Sequence, residues 1–447
     1  MKVTVFGAGY VGLVTAACLA HMQHQVICAD ISKEKIATLA SGGLPVWEQG
    51  LEALLKEARD AERIEYTTNL TEAILASDLW ILAVGTPTHL NGEADLTQIW
   101  SVVDLIAATC LTHPLQNTKL LIVKSTVPVG TCDAIESRLV AQNLKDIEIV
   151  HNPEFLRQGS AVADFLQPDR IVIGCASSRA RVEMTLLYGE MLHKLHFCDL
   201  RSAELIKYAS NAFLAMKISY INMVAELSEK LDANIEEVAR GMGADLRIGG
   251  SFLQAGIGYG GSCFPKDLRA LKAMGAQVGC DLPLIDATES INKNLPFRLI
   301  RKLKEQLGSL FGKRIAILGL AFKPMTDDIR EAPSLAFSKL CLIAGAELVA
   351  YDPVVRHYPL SQVKLMSTPY KAMIGCDAVV FLTEWDVFHK LDWEQISGRL
   401  NTPLILDGRN MFSLHSMKEI TVEYGLTYLS MGRPALHSIT KPKKFIP

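Results

Sequence analysis

The stretch KVTVFGAGYVGLVTAACLA, Lys2 to Ala20, decides the fold. A β-branched run, Lys2 to Phe6, passes through a glycine turn into a helix of small residues. Three further apolar runs of strand length follow: HQVICAD (24–30), SDLWILAVGTPT (77–88) and TKLLIVKST (118–126). Segments of helical period separate them. Strands alternating with helices predict parallel βαβ units and a doubly wound sheet.

The last third repeats this order. KRIAILGLAFK (313–323) echoes KVTVFGAGYVG, and AELVAYDP (346–353) echoes HQVICADIS. CDAVVFLTEWD (376–386) echoes SDLWILAVGTP, and TPLILDGRN (402–410) echoes TKLLIVKST. The predicted fold class is α/β, with two Rossmann-like doubly wound parallel-sheet domains joined by a long central helix. That helix is Ser202 to Ala233, which lacks Gly and Pro and repeats apolar residues at three and four. Such a run would span roughly 45 Å. The expected domains are 1–200, 201–300 and 301–447. The run from Gly241 to Pro265, rich in Gly, is expected to be loop.

Composition fits a folded protein with more than one core: 447 residues, 49% hydrophobic and 21% charged. A net charge of −3 without a long basic block argues against a nucleic-acid partner. The lysines of Lys441 to Lys444 read as a solvated tail. Ten cysteines without CxxC pairs fit reduced thiols, with no zinc spacing and no metal expected. The chain opens directly on a strand-like run, so no signal peptide is expected. No apolar run reaches membrane-spanning length. Cytoplasm is the expected compartment.

Gly7, Gly9 and Gly12 complete a GxGxxG after a strand and before a helix. There the glycines allow a tight turn and close approach of a pyrophosphate, and the helix start offers amide donors. Asp30, 18 residues past Gly12, ends the next strand, where a carboxylate can accept from ribose hydroxyls. An acid there favours NAD over NADP, although Lys33 and Lys35 lie close. In the second half the turn is degraded to Gly319-Leu320-Ala321-Phe322-Lys323, which suits a nucleoside diphosphate better than a second dinucleotide.

The chemistry concentrates in GIGYGGSCFPKD, Gly256 to Asp267. Cys263 follows Gly260, Gly261 and Ser262 and precedes Lys266 and Asp267, whereas the other nine cysteines read as small buried hydrophobes. A thiolate beside NAD solves a particular problem. Oxidising an alcohol to an aldehyde is one hydride loss, but going on to the acid needs a second. Thiolate addition to the aldehyde gives a thiohemiacetal, its oxidation gives a thioester, and water releases the acid. Lys207 and Asn211, at i and i+4 of the long helix, share one face where they could meet developing oxyanion charge. A snorkelling lysine and a surface amide are the bland alternative.

Taken together, these residues resemble the UDP-glucose 6-dehydrogenase family along nearly the whole chain. The resemblance rests on GAGYVG, GTPT (85–88), STVPVGT (125–131), HNPEFLRQGSA (151–161), PDRIVIG (168–174), ELIKYASNAFLAMKIS (204–219), GYGGSCFPKD (258–267) and GLAFKPMTDDIREAPS (319–334). It implies NAD as cofactor, a UDP-glucose substrate, a C-terminal domain that binds the UDP-sugar, and a homodimer. Cys263 would be the nucleophile, Lys207 and Asn211 would bind substrate and stabilise the oxyanion, and Glu154 would be acid/base through water. Thr126 and Asp267 would hold that water. The resemblance further implies NAD contacts at Val11, Asp30, Lys35, Thr86, Thr126, Gln158, Lys266 and Arg330. For the sugar nucleotide it implies Glu154, Phe155, Leu156, Arg157 and Gln158, then Phe252, Leu253, Gln254, Ala255 and Gly256, with Gly260 and Lys323. Arg247 would reach a neighbouring subunit's sugar site.

One departure is Gln158, where the family has Glu; it keeps an acceptor oxygen but loses a charge. Met325 stands where a polar residue is more common. A dehydrogenase acting on GDP-mannose or a UDP-N-acetylamino sugar would share the Cys and Lys machinery. A hydroxyacid dehydrogenase would share the N-terminal unit and long helix without needing a cysteine. A nucleotide sensor without activity is the non-enzymatic alternative.

Overall fold

The computed structural model describes residues 1–89 and 91–438; the Lys441 to Lys444 tail lies outside them. It divides into two compact units, 1–210 with 269–281, and 211–268 with 282–447.

The first unit holds eight strands: β1 (Lys2–Phe6), β2 (Gln25–Ala29), β3 (Ile64–Thr67), β4 (Leu79–Leu82), β5 (Lys119–Val123), β6 (Ile147–His151), β7 (Ile171–Gly174) and β8 (Leu195–Cys198). Their order is β3-β2-β1-β4-β5-β6-β7-β8, with the direction of travel reversing between β1 and β4. Ligands of such sheets bind outside the carboxyl ends of strands at that reversal. Side-chain alternation explains why helices cover both faces. Val3 and Val5 pack into one apolar cluster with the helix Tyr10–His21, while Phe6, Trp80 and Leu82 enter another with the helix Thr97–Thr112.

The second unit carries β9 (Arg314–Leu318), β10 (Glu347–Tyr351), β11 (Val363–Leu365), β12 (Ala378–Phe381), β13 (Leu404–Asp407), β14 (Thr427–Ser430) and β15 (Leu436–His437). Their order is β11-β10-β9-β12-β13-β14-β15, so the four sequence echoes occupy equivalent positions in the two sheets. Both sheets are predominantly parallel, as expected, with one antiparallel joint in each: β7 runs antiparallel to β6, and β15 to β14. Neither joint has a crossover helix long enough to bring the chain back to the same end.

The repeat extends to hydrogen bonds. Gly7 N donates to Ala29 O at 2.8 Å, and Gly319 N to Tyr351 O at 2.9 Å. Both glycines have positive φ, and a Cβ on either would collide with the start of the segment after the neighbouring strand, at Ala83 or Thr383. Asp30 Oδ2 accepts from Ala8 N at 2.7 Å, and Asp352 Oδ2 from Leu320 N at 2.7 Å.

The long helix runs Leu200–Lys230. The stretch expected as loop from Gly241 to Pro265 is shorter, because helices claim both its ends. The helix Ile235–Gly243 takes the first glycines; it is capped by Asn234 and leaves Gly241 exposed, where no packing is lost. The helix Phe264–Gln277 takes Pro265 in its first turn, where a missing N–H costs nothing.

Candidate active site

In the first unit the glycine turn is built to receive a diphosphate. A Cβ on Gly12 would overlap the Gly7 carbonyl, so the helix start packs hard against the turn, while a Cβ on Gly9 would meet nothing within 4 Å. The open side at Gly9 leaves the backbone approachable, as a pyrophosphate requires. Val11 lies in the first turn of that helix. Asp30 sits directly after β2, buried; its second oxygen accepts from Ser32 N at 2.8 Å, and Lys35 Nζ lies 3.5 Å from the carboxylate. These residues fit a dinucleotide. Thr86 and Thr126 follow β4 and β5 and touch, Thr86 Oγ1 donating to Thr126 O at 2.9 Å.

The second half keeps the acid but not the vacancy. Asp352 also accepts from Trp385 Nε1 at 3.3 Å and from the amides of Val354 and Val355. A bulky indole therefore occupies the carboxylate face that a ribose would need. The degraded turn therefore does not repeat the ribose-accepting face of the first.

Glu154 follows β6 and is 8% exposed, so its carboxylate is enclosed by the protein. Lys207 is 3% exposed; its Nζ donates to Glu154 Oε1 at 3.0 Å and to Glu154 O at 2.6 Å, and it lies 5.2 Å from the Phe155 ring. Burial pushes the Glu154 carboxyl up, but the Lys207 and Lys124 ammoniums and the Leu156 amide outweigh it and leave it below the usual range. Leu156 N donates to Glu154 Oε2 at 2.6 Å. Arg157 is turned outward onto Asp164 at 2.6 Å, so its side chain is not gathered with the pair. Gln158 continues the same loop, whose next residues donate Gly159 N and Ala161 N to buried Glu48, the acceptor of the Tyr10 hydroxyl.

Cys263 lies in the second unit, exposed, directly before the helix Phe264–Gln277. A helix start favours a thiolate through its amides and dipole. Asp267, 1% exposed, donates its N–H to the Cys263 carbonyl at 2.9 Å. Its carboxylate accepts from Asn211 Nδ2 and from Lys266 Nζ, each at 2.6 Å. Asn211 is 7% exposed, so neither it nor Lys207 is the surface residue of the bland alternative. Arg330 pairs with Asp328 at 2.6 Å and stands within electrostatic reach of Cys263. Gly261 has φ +81 and lies against the Phe322 ring, and Gly260 lies against the Glu331 carbonyl, so the cysteine loop is docked onto the degraded glycine turn that bears Lys323. Phe252 and Met325 adopt left-handed backbone, a strained state for such side chains.

Arg247 is not brought to this cluster. It sits in an exposed loop, paired with Asp245 at 2.5 Å beside the fully exposed Leu246. Among the other nine cysteines the expectation of uniform burial is corrected: Cys280 is exposed and Cys198 half-buried. Cys280 falls in the exposed turn between the helices Phe264–Gln277 and Pro283–Leu307, where no core is available to it.

Two groups escaped the sequence reading. Arg409, after β13, donates to three carbonyls: Leu382 at 2.9 Å, Gly258 at 2.8 Å and Phe322 at 2.7 Å. It thus ties the cysteine loop to the Lys323 turn. With Asn410, Leu253, Gln254 and Ala255 it lines a cavity of about 530 Å³. The other is Lys124, a buried lysine directly after β5. The signal for both was a charged residue ending an apolar strand run, in IVKST and LILDGRN.

By sequence, residues 1–192 match the NAD binding domain of the UDP-glucose/GDP-mannose dehydrogenase family, 201–294 its central domain and 316–414 its UDP binding domain. The chain belongs to that family. It is an NAD-dependent dehydrogenase of two Rossmann-like sheets. A UDP-glucose 6-dehydrogenase of Rhizobium meliloti is 42% identical over 97% of this chain and all of the relative. One from Pseudomonas aeruginosa is 42% identical over 97% of this chain and 98% of the relative. Among solved structures, a UDP-glucose dehydrogenase from Pyrobaculum islandicum aligns with TM-score 0.86 at 35% identity, covering 91% of this chain and 94% of that one. A UDP-D-ManNAc dehydrogenase from Pyrococcus horikoshii aligns with TM-score 0.84 at 27% identity, covering 97% and 99%.

Proposed function

We propose that this chain oxidises UDP-glucose to UDP-glucuronate in two successive steps, the second carried on Cys263. The observation that carries the reading is the exposed Cys263 thiol at a helix start, next to the buried Asp267–Asn211 pair and the half-buried Lys266. NAD, when bound, accepts the hydride in each oxidation, so one alcohol, two NAD and one water give one carboxylate, two NADH and three protons.

In this reading Glu154, held ionised by its cationic neighbours, takes the proton of the sugar hydroxyl through water. Lys207 and Asn211 donate to the oxygen as charge develops on it. Cys263 Sγ adds to the aldehyde carbon, and the thiohemiacetal so formed retains the second hydrogen to be removed. A water held by Thr126 and Asp267 then attacks the thioester carbon, and the thiolate leaves. Val11, Asp30, Lys35, Thr86, Thr126, Gln158, Lys266 and Arg330 serve the cofactor. Residues 154–158, 252–256, Gly260 and Lys323 serve the sugar nucleotide, with the cavity beside Arg409 as its nucleoside pocket.

The reading also includes a homodimer in the cytoplasm. Phe213, Tyr220, Met223 and Leu227 form an exposed apolar stripe at helical spacing on the long helix, which supports association. Arg247 and the exposed apolar residues flanking it, Leu246 and Ile248, would reach the neighbouring subunit. No helix among the described residues is long and apolar enough to cross a membrane.

UDP-glucose is preferred because full-length relatives at 42% identity carry that name, whereas the UDP-D-ManNAc enzyme stands at 27%. NADH release measured with UDP-glucose, UDP-N-acetylmannosamine and GDP-mannose separates the substrates. UDP-glucose is expected to give the highest kcat/KM; turnover confined to either of the others overturns the assignment.

A further inference from the structure

Lys124 is a buried ammonium that enters the mechanism above as one of the cations around Glu154, with no contact to substrate. It follows β5 directly, with its amide donating to Leu82 O at 2.9 Å. Its Nζ reaches two neutral groups, Asn152 Oδ1 at 3.2 Å and Tyr188 Oη at 3.4 Å, and lies 5.6 Å from the Phe165 ring. Asn152 is itself fixed, its N–H on Val123 O at 2.9 Å, its amide on Val172 O at 2.8 Å, and its oxygen also accepting from the Tyr188 hydroxyl. It stands two residues before Glu154. A buried cation among neutral partners costs folding free energy, and an apolar residue of the same length would pack there more cheaply.

The groups facing Lys124 narrow what its charge can act on. From the helix Tyr10–His21 comes Cys18, whose thiol burial pushes up to about 12. From the helix Ser178–Tyr188 comes the Tyr188 hydroxyl, which burial also pushes up. At the end of β6 lies His151, which burial draws down to about 3. All three are neutral near pH 7. The charged neighbours that remain are Glu154 and Lys207. Burial draws Lys124 down to about 8, against its attraction to Glu154, so it is the ammonium below that pH.

We propose that Lys124 is a positioning residue for the reaction: through Asn152 it fixes the loop that carries Glu154, and through its charge it keeps Glu154 ionised beside Lys207. The proposal rests on the acid/base role given to Glu154 above. It is a role exerted behind the reacting groups, not in contact with substrate.

The test is the pH profile of kcat for the full chain with UDP-glucose and NAD. Lys124→Gln keeps a hydrogen-bond donor for Asn152 and Tyr188 and removes the charge. Without that cation Glu154 holds its proton to higher pH, so the acid limb is expected to move to higher pH. Lys124→Arg is expected to keep the acid limb at the wild-type position, whatever its maximal rate. A Gln variant with lower kcat but an unmoved acid limb overturns the proposal, because that is what simple loss of packing gives. Lys124→Met is the second uncharged variant; failure of both uncharged variants to fold would assign Lys124 to packing and overturn it too. The wild-type count of NADH per substrate is read in the same assay. One NADH per substrate would sink the two-step reading, whereas two NADH with unmoved limbs would sink the Lys124 role alone.

Discussion

Lys207 Nζ lies 3.0 Å from Glu154 Oε1 and 2.6 Å from the carbonyl oxygen of the same residue. One ammonium therefore fixes both the side chain and the backbone of a loop residue, in a setting where each is less than a tenth exposed. Such a pair is held in place before substrate arrives.

Lys207→Met should lower kcat on the order of 10²–10³-fold, the usual cost of one preorganised donor to an oxyanion. Removing one partner of a buried pair also costs about 3–5 kcal/mol of folding free energy, so thermal melts should be read beside the kinetics. The pH sign follows from Glu154, whose carboxyl is held below its ordinary 4.5. The stabilisation from that pairing is fully present above 4.5 and is lost as pH falls through the lower folded value. The melting temperature of the wild type should therefore decline more steeply below pH 4.5 than that of Lys207→Met. Parallel declines would contradict the pairing.

Asp30→Ala should raise KM for NAD well above tenfold while leaving KM for UDP-glucose within about twofold, since the lost group is a ribose acceptor and a cap on the glycine turn. Initial-rate kinetics check this. The comparison with Asp352 sharpens it: both acids cap their turn, but Trp385 occupies the second one. Equal losses in both Michaelis constants would mean that Asp30 only holds the fold.

Arg409→Lys should lower kcat at least tenfold and raise KM for UDP-glucose, because an ammonium cannot serve three carbonyls set at fork geometry. The Gly258 and Phe322 carbonyls would lose their shared donor, and the cysteine loop would loosen from the Lys323 turn. Circular dichroism with steady-state kinetics separates this from global unfolding. An unchanged KM would show that the clamp is dispensable.

The chain's own pattern revealed the four repeated strands of each half, because their apolar runs are buried and need no tertiary context to be seen, whereas the part-exposed β3, β8 and β11 gave no such run. Val3 to Phe6 and Ile315 to Leu318 are such runs. The repeat was visible for the same reason. The antiparallel joints β6/β7 and β14/β15 were not, since strand direction depends on connections rather than on composition.

The residues of the site divide similarly. Cys263, Lys207 and Asn211 stood out as polar or reactive groups in apolar or glycine-rich settings. Lys124 and Arg409 did not, because a charged residue ending a strand run usually marks the surface. Only packing shows that one is enclosed by Asn152, Tyr188 and Phe165, and that the other is spent on three backbone carbonyls. The long helix was placed within a few residues, ending at Lys230 rather than Ala233.

The central claim, that Cys263 carries a second oxidation, is tested most directly by counting NADH against UDP-glucose consumed, in the wild type and in Cys263→Ser side by side. The account predicts two NADH and one UDP-glucuronate per UDP-glucose in the wild type, and no acid released by the serine variant. One NADH per sugar with aldehyde as the end product, or undiminished acid formation by Cys263→Ser, would contradict it.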